Sequence, residues 1–188
     1  MSHFTDAIAD AIQTIQCLAA LESEVHNAAN IVRTALQSGN KLLVCGNGGS
    51  AADGADFAAE FGCRFTVDRK PFPAINLSNG GSLITAIGND YSFEEVFARQ
   101  VRGYGKAGDV LVAISTSGKS KNVLKAIEMA NSMNVHSIAL LGRDGGFTRG
   151  VANVDLIVPG DFTARIQEGH KFLLHVICSL VDPDLRKL

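Results

Sequence analysis

Six consecutive residues, Ser115-Thr116-Ser117-Gly118-Lys119-Ser120, place three hydroxyls, a glycine, a lysine and a further hydroxyl directly before a helix-patterned segment. Free N–H groups at a helix start, hydroxyl donors and a nearby cation are what a phosphate dianion needs. A helix cap alone would need only one of these side chains, so their concentration points to a phosphorylated ligand. A second loop, Cys45-Gly46-Asn47-Gly48-Gly49-Ser50, also leads from an apolar run into a helical pattern. Its closely spaced glycines suit anion binding and a tight strand-to-helix turn equally well. It is neither a Walker loop nor a GxGxxG fingerprint, because the required spacing is absent.

Candidates for proton transfer lie further along. Asp56 and Glu60 are four residues apart on the helix after the glycine loop, which puts two carboxylates on one face about a turn from each other. A solvated face would look the same, but Phe57, Ala58, Ala59 and Phe61 are apolar and the helix starts at a candidate ligand loop, which favours a role for Glu60. Near the C-terminus Gln167, Lys171 and His175 recur at fours in one drifting stripe, with Glu168 and His170 on other faces. His175 sits among Leu173, Leu174, Val176 and Ile177, a setting that fits a core histidine as well as an acid–base group.

Elements that could position these residues follow from apolar spacing. From Phe4 to Leu36 the period is helical, ending at Gly39, so a long helix or a helical pair is expected. Short apolar runs at Lys41–Cys45, Ala74–Leu77, Val110–Ile114, Ser137–Leu141 and Asp155–Val158 read as buried parallel strands. Helical patterns at Ala51–Phe61, Ser92–Tyr104 and Asn122–Met133, with a weaker one at Gly146–Val151, lie between them. A last helix over Ala164–Val181 is expected to stop before Pro183. Alternating strand and helix imply an α/β fold, a mostly parallel sheet with helices on both faces and ligands at the carboxyl ends of the strands.

The chain has 188 residues, 46% hydrophobic and 19% charged, which suits one globular domain. Its mean hydropathy of +0.15 is economically explained by an oligomer. A net charge of -2 offers no basic field for nucleic acid or anionic lipid, so any anion must be held locally. Cys17, Cys45, Cys63 and Cys178 show no CxxC pairing, and reduced cytoplasmic thiols are expected. No basic-then-apolar leader and no apolar run of about 20 residues is present, which argues against secretion and membrane insertion.

Taken together, the GNGGS loop, the AAEF segment, Gly88-Asn89-Asp90-Tyr91, the ISTSGKS loop and Arg165-Ile166-Gln167-Glu168 resemble the phosphoheptose isomerases of the sugar isomerase (SIS) fold, over nearly the whole chain. The resemblance implies a three-layer, flavodoxin-like, five-stranded parallel sheet forming a single SIS domain over residues 1–188, with residues 1–38 as a helical segment for homotetramer assembly and active sites where subunits meet. It further implies interconversion of sedoheptulose 7-phosphate and D-glycero-D-manno-heptose 7-phosphate, on the path to bacterial heptose glycans such as lipopolysaccharide. Glu60 and His175 match the catalytic pair. Asn47, Gly48, Gly49, Ser50, Arg64, Asn89, Asp90, Ser115, Thr116, Ser117, Ser120 and Gln167 match substrate-binding positions.

Many members of that family bind zinc through a histidine, the catalytic glutamate, a glutamine and the catalytic histidine, so zinc is the implied cofactor. Here the corresponding residues are Asp56, Glu60, Gln167 and His175, and aspartate stands where histidine is usual. Aspartate is a competent zinc ligand that makes the site harder and more anionic, and the exchange could equally abolish metal binding. Ser78-Asn79-Gly80-Gly81-Ser82 also departs from the threonine- and aspartate-bearing segment of relatives, which bears on the choice of sugar. Two alternatives are an isomerase of another sugar phosphate and a non-catalytic SIS protein that binds a replication initiator. The latter relatives have lost the catalytic glutamate and histidine, which this chain keeps as Glu60 and His175.

Overall fold

The computed structural model describes residues 2–188, so Met1 of the expected N-terminal segment lies outside the described residues. Five strands, β1 (Leu42–Gly46), β2 (Ala74–Asn76), β3 (Val110–Ser115), β4 (His136–Gly142) and β5 (Val154–Val158), form one parallel sheet in the order β2-β1-β3-β4-β5. Every residue of β1 and β3 is buried, as continuous apolar runs require when helices cover both faces. Alternate side chains serve opposite layers. Leu42, Val44, Val110, Val112 and Ile114 pack on one side with α2 (Glu22–Gln37), α3 (Gly49–Gly62) and α7 (Thr163–Leu185). Leu43, Cys45, Leu111 and Ala113 pack on the other with α4 (Ser82–Asp90), α5 (Ala98–Tyr104) and α6 (Lys121–Ser132).

The N-terminal stretch is a helical pair: α1 (His3–Cys17) and α2 are joined by a 3-10 turn over Leu18–Leu21. Gly39, at φ +77, provides the left-handed residue past the end of α2. The α2 stripe Val25, Ala28, Ala29, Val32, Ala35 and Leu36 is buried, whereas α1 buries no residue in this chain.

Four expectations need correction. The helix expected at Ser92–Tyr104 is a 3-10 turn at Phe93–Glu95 followed by the shorter α5, and the pattern at Gly146–Val151 is one 3-10 turn at Gly146–Thr148. No helical pattern announces α4, because adjacent glycines such as Gly80-Gly81 commonly mark a loop; Gly81 instead takes φ +42 as the N-cap of that helix. Finally, α7 continues through Pro183 to Leu185. A proline in a helix loses one backbone bond and crowds the preceding turn. Here Leu185, only 1% exposed, and the bonds from Arg69 and Arg186 to Asp182 hold the last turn in place.

Candidate functional site

Strand order reverses between β1 and β3: from β1 the chain crosses to β2 on one side, and from β3 it proceeds to β4 on the other. Such a switch point opens a crevice at the carboxyl ends of the strands. Both loops singled out in the sequence lie there. The glycine loop leaves β1 at Gly46 and enters α3 at Gly49, and the hydroxyl loop leaves β3 at Ser115 and enters α6 at Lys121.

The two loops are tied by a reciprocal amide pair. Asn47 Nδ2 donates to Asn122 Oδ1 at 3.0 Å and Asn122 Nδ2 donates to Asn47 Oδ1 at 2.9 Å. Below it, Ser78 Oγ accepts from the Gly46 N–H at 3.2 Å and donates to the Gly46 carbonyl at 2.8 Å. Gly48 takes φ +55 and has no side chain with which to cap α3. In the other loop, Ser115 Oγ donates to Ser120 Oγ at 3.1 Å, and Ser120 makes no capping bond to α6. Ser117 Oγ accepts from the Lys119 N–H at 3.1 Å. Two helix N-termini, both without a side-chain cap, therefore face one crevice, and such ends attract anions.

Close backbone packing holds the hydroxyl loop. Gly118 has φ +62, and a Cβ there would overlap the Gly145 carbonyl, while a Cβ on Gly142 would overlap the carbonyl of Thr116. Thr148 Oγ1 donates to the Gly118 carbonyl at 2.8 Å from a buried position. These contacts press the loop onto the turn after β4.

Helix α7 is laid along α3, and matching residues face each other. A Cβ on Gly49 would come within 2.5 Å of the Gln167 amide. One turn on, Lys171 Nζ pairs with Asp53 at 3.1 Å and, through a short contact, with Asp56. Further along, Glu60 and Cys178 are close. Burial pushes the Cys178 thiol up to about 12, with the carboxylates of Glu60 and Asp182 adding to the effect. His175 lies one turn before Cys178, exposed, with its ring 6.3 Å from that of Phe65. Glu60 is half-buried, and its carbonyl accepts from Arg69 Nη2 at 2.7 Å.

Of the sequence candidates, the structure brings together Asn47, Gly48, Gly49, Ser50, Ser115, Thr116, Ser117, Ser120 and Gln167 at the crevice, and sets Glu60 and His175 further along the same helix seam. Others lie away from the loops of their own chain. Arg64 is exposed and donates to the Thr66 carbonyl at 3.2 Å. Asn89 and Asp90, bonded to each other at 2.9 Å, end α4, where Asp90 lines a separate cavity of about 390 Å³ with Tyr91 and Arg99.

Sequence reasoning missed Asp53, although it falls three residues before Asp56 and seven before Glu60 on the same stripe. Its carboxylate is buried and Oδ2 has no hydrogen-bond partner. His170 was placed off the stripe, and it is fully buried beside this group. Burial lowers its pKa to about 4, against the pull of the Leu141 carbonyl and the Asp53 carboxylate. At neutral pH His170 is an uncharged core residue.

The implied zinc donors, Asp56, Glu60, Gln167 and His175, do not fit that ion in this chain. Among the described residues no three of His, Cys, Asp and Glu converge as a metal site, and the Asp56 carboxylate is engaged by an ammonium.

Known proteins give the architecture its context. The SIS domain family matches residues 3–142. A phosphoheptose isomerase of Citrifermentans bemidjiense is 51% identical over 88% of this chain and 86% of its own length, and one of Shewanella sp. (strain ANA-3) is 45% identical over 98% and 96%. Among solved structures, the phosphoheptose isomerase GmhA of Neisseria gonorrhoeae superposes with a TM-score of 0.88 at 43% identity, covering 96% of this chain and 97% of that one. That of Francisella tularensis gives 0.92 at 37% identity, covering 96% of each. With two uncapped helix starts at the switch point of a five-stranded parallel sheet, this chain belongs to the phosphoheptose isomerases, enzymes of the SIS domain family.

Proposed function

We propose that the protein interconverts sedoheptulose 7-phosphate and D-glycero-D-manno-heptose 7-phosphate, supplying a precursor of bacterial heptose glycans. The reading is carried by the paired helix starts locked together by Asn47 and Asn122, with the carboxylate stripe of α3 and the α7 stripe running away from them. The amides and hydroxyls of Ser115, Thr116, Ser117 and Ser120 hold the phosphate. Asn47, Gly48, Gly49, Ser50 and Gln167 line the path of the sugar. The reacting end then lies toward Glu60 and His175. Fixing the phosphate in this way turns proton transfer into a positioned, effectively intramolecular event.

The chemistry moves a carbonyl from C2 to C1. Glu60 removes a proton from C1 while His175 delivers one to O2, which gives the enediol. His175 then takes the proton from O1 as Glu60 returns one to C2. Each group is reset at the end, and no electron acceptor is needed. Each contributes about 10² to 10⁴ in rate. No step is routed through zinc, because Asp56 is committed to Lys171.

Arg64, Asn89 and Asp90 reach substrate in this scheme from a neighbouring subunit. A homotetramer is supported by the unpartnered surface of α1, where Phe4 is 75% exposed and Ile8 and Ile12 are also exposed. An apolar groove of about 440 Å³ beside it is lined by Ile15, Leu18, Val25, Phe172, Val176 and Leu180. Four free cysteines, and no helix among the described residues long and apolar enough to cross a membrane, favour the cytoplasm.

The test is to incubate the purified protein with sedoheptulose 7-phosphate and follow the aldose by NMR. Turnover is expected, and Glu60→Gln should lower kcat by about 10² to 10⁴ while leaving substrate binding largely intact. Absence of turnover by the unaltered protein would sink this function.

A further inference from the structure

We infer that the Lys171 ammonium, clamped by Asp53 and Asp56, supplies the fixed positive charge of the reaction site and stands where a metal-dependent isomerase would hold its divalent cation. The inference rests on the isomerase reading above and adds to it a charge-supplying residue and independence of metal.

Lys171 follows Gln167, which touches the glycine loop, by one turn and precedes His175 by one turn. Its partners Asp53 and Asp56 lie between Gly49 and Glu60 on α3. The ammonium therefore sits between the anion-binding loops and the proton-transfer pair, where the oxygens of a phosphorylated enediolate would pass.

An ammonium has three donors. Asp53 and Asp56 take one each, which leaves one for a ligand oxygen. Asp53 is 6% exposed at its side chain, and its Oδ2 is buried with no partner. A buried carboxylate in that condition needs a cation beside it, and Lys171 is the one the fold presents.

The Lys171–Asp56 pair does little for the fold. The Asp56 side chain is 64% exposed and that of Lys171 29% exposed, and ion pairs open to water to this degree add little stability. A fixed cation beside developing negative charge in a partly dry crevice, by contrast, contributes strongly to rate. As Glu60 and His175 pass protons, charge accumulates on O1 and O2, and the third Lys171 donor is available to stabilise it.

The experiment uses the full-length protein, dialysed against EDTA, with zinc alone as the calorimetric probe. The unaltered protein should retain its turnover after stripping, change less than about twofold when zinc is restored, and show no stoichiometric zinc binding. Lys171→Met should lower kcat by about 10²-fold with KM within about threefold, and Lys171→Arg should recover part of the loss. Lys171→Met should also gain measurable zinc affinity over the unaltered protein, since Asp53 and Asp56 are then left without their cation. Asp56→Asn, at an exposed position that does not endanger folding, should lower kcat by about tenfold by unclamping the ammonium. Turnover lost to EDTA and restored by zinc, stoichiometric zinc on the unaltered protein, unchanged kcat in Lys171→Met, or no zinc binding by that variant would each overturn the inference. Should the unaltered protein fail on sedoheptulose 7-phosphate, the isomerase reading falls, and zinc calorimetry on the two proteins still decides whether Lys171 fills the cation position.

Discussion

Helix α7 carries two cation–carboxylate clusters of opposite character. Toward its C-terminus Asp182 accepts from Arg69 Nε at 2.9 Å, with both side chains 3% exposed, and also from Arg186 and Thr66. Arg69 gives three of its four remaining donors to the carbonyls of Glu60, Phe61 and Lys70. Toward the N-terminus Lys171 meets two carboxylates, one buried and incompletely bonded and the other open to water. The first cluster is closed around two buried side chains, Arg69 and Asp182, and the second retains unsatisfied capacity. A closed ion pair fixes a chain end, whereas an open one keeps donors in reserve for a ligand.

The largest effect should come from breaking the closed cluster. Arg69→Met leaves Asp182 buried without its main partner and should cost about 3–5 kcal/mol in urea unfolding. Next is the acid response of the core under the open cluster. An unfolded histidine binds its proton near pH 6.5, whereas buried His170 resists until about pH 4. The unfolded state then holds more protons in that window, so this contribution is complete above pH 6.5 and falls by roughly 3 kcal/mol as the pH drops toward 4. His170→Leu should flatten the stability profile over this range.

Acid reaches the closed cluster at lower pH. Burial tends to raise the Asp182 pKa, but the bonds from Arg69, Arg186 and Thr66 outweigh it and hold the carboxyl below 3.8. Its stabilisation persists above that value and is lost as the pH falls through the lowered folded pKa, which a melting series in Asp182→Asn should register as a missing transition. Smaller still is Lys171→Met, at about 1–2 kcal/mol, because Asp53 loses its cation. Asp56→Asn should be the mildest, within about 0.5 kcal/mol of the unaltered protein by the same unfolding assay. A reversed order would mean that the open cluster, and not the closed one, holds the helices together.

What could be read from residues alone follows the range of the interactions. The five strands announce themselves because a sheet covered on both faces demands unbroken apolar runs, as at Leu42–Cys45 and Val110–Ile114. The two loops at the switch point were legible for a similar reason, since their hydroxyls and glycines are contiguous. Lys171 and Asp56 lie 115 positions apart and Arg69 and Asp182 113 apart, so neither pairing leaves a local trace. The passage of α7 through Pro183 escaped for the same cause, because its compensation is the long-range bonding of Asp182. Helix α4 was hidden by Gly80-Gly81, where a pair of glycines that commonly marks a loop serves as a helix entrance.

The reciprocal amide pair between Asn47 and Asn122 bears on how the protein is made. During synthesis the glycine loop emerges well before its partner, and neither half of the pair has anything to bond until Asn122 has left the ribosome. Gln167, which closes over Gly49, arrives later still. The crevice is thus completed only when nearly the whole chain is available, and the anion proposed to bind there would select finished molecules over incomplete ones, stabilising them by mass action.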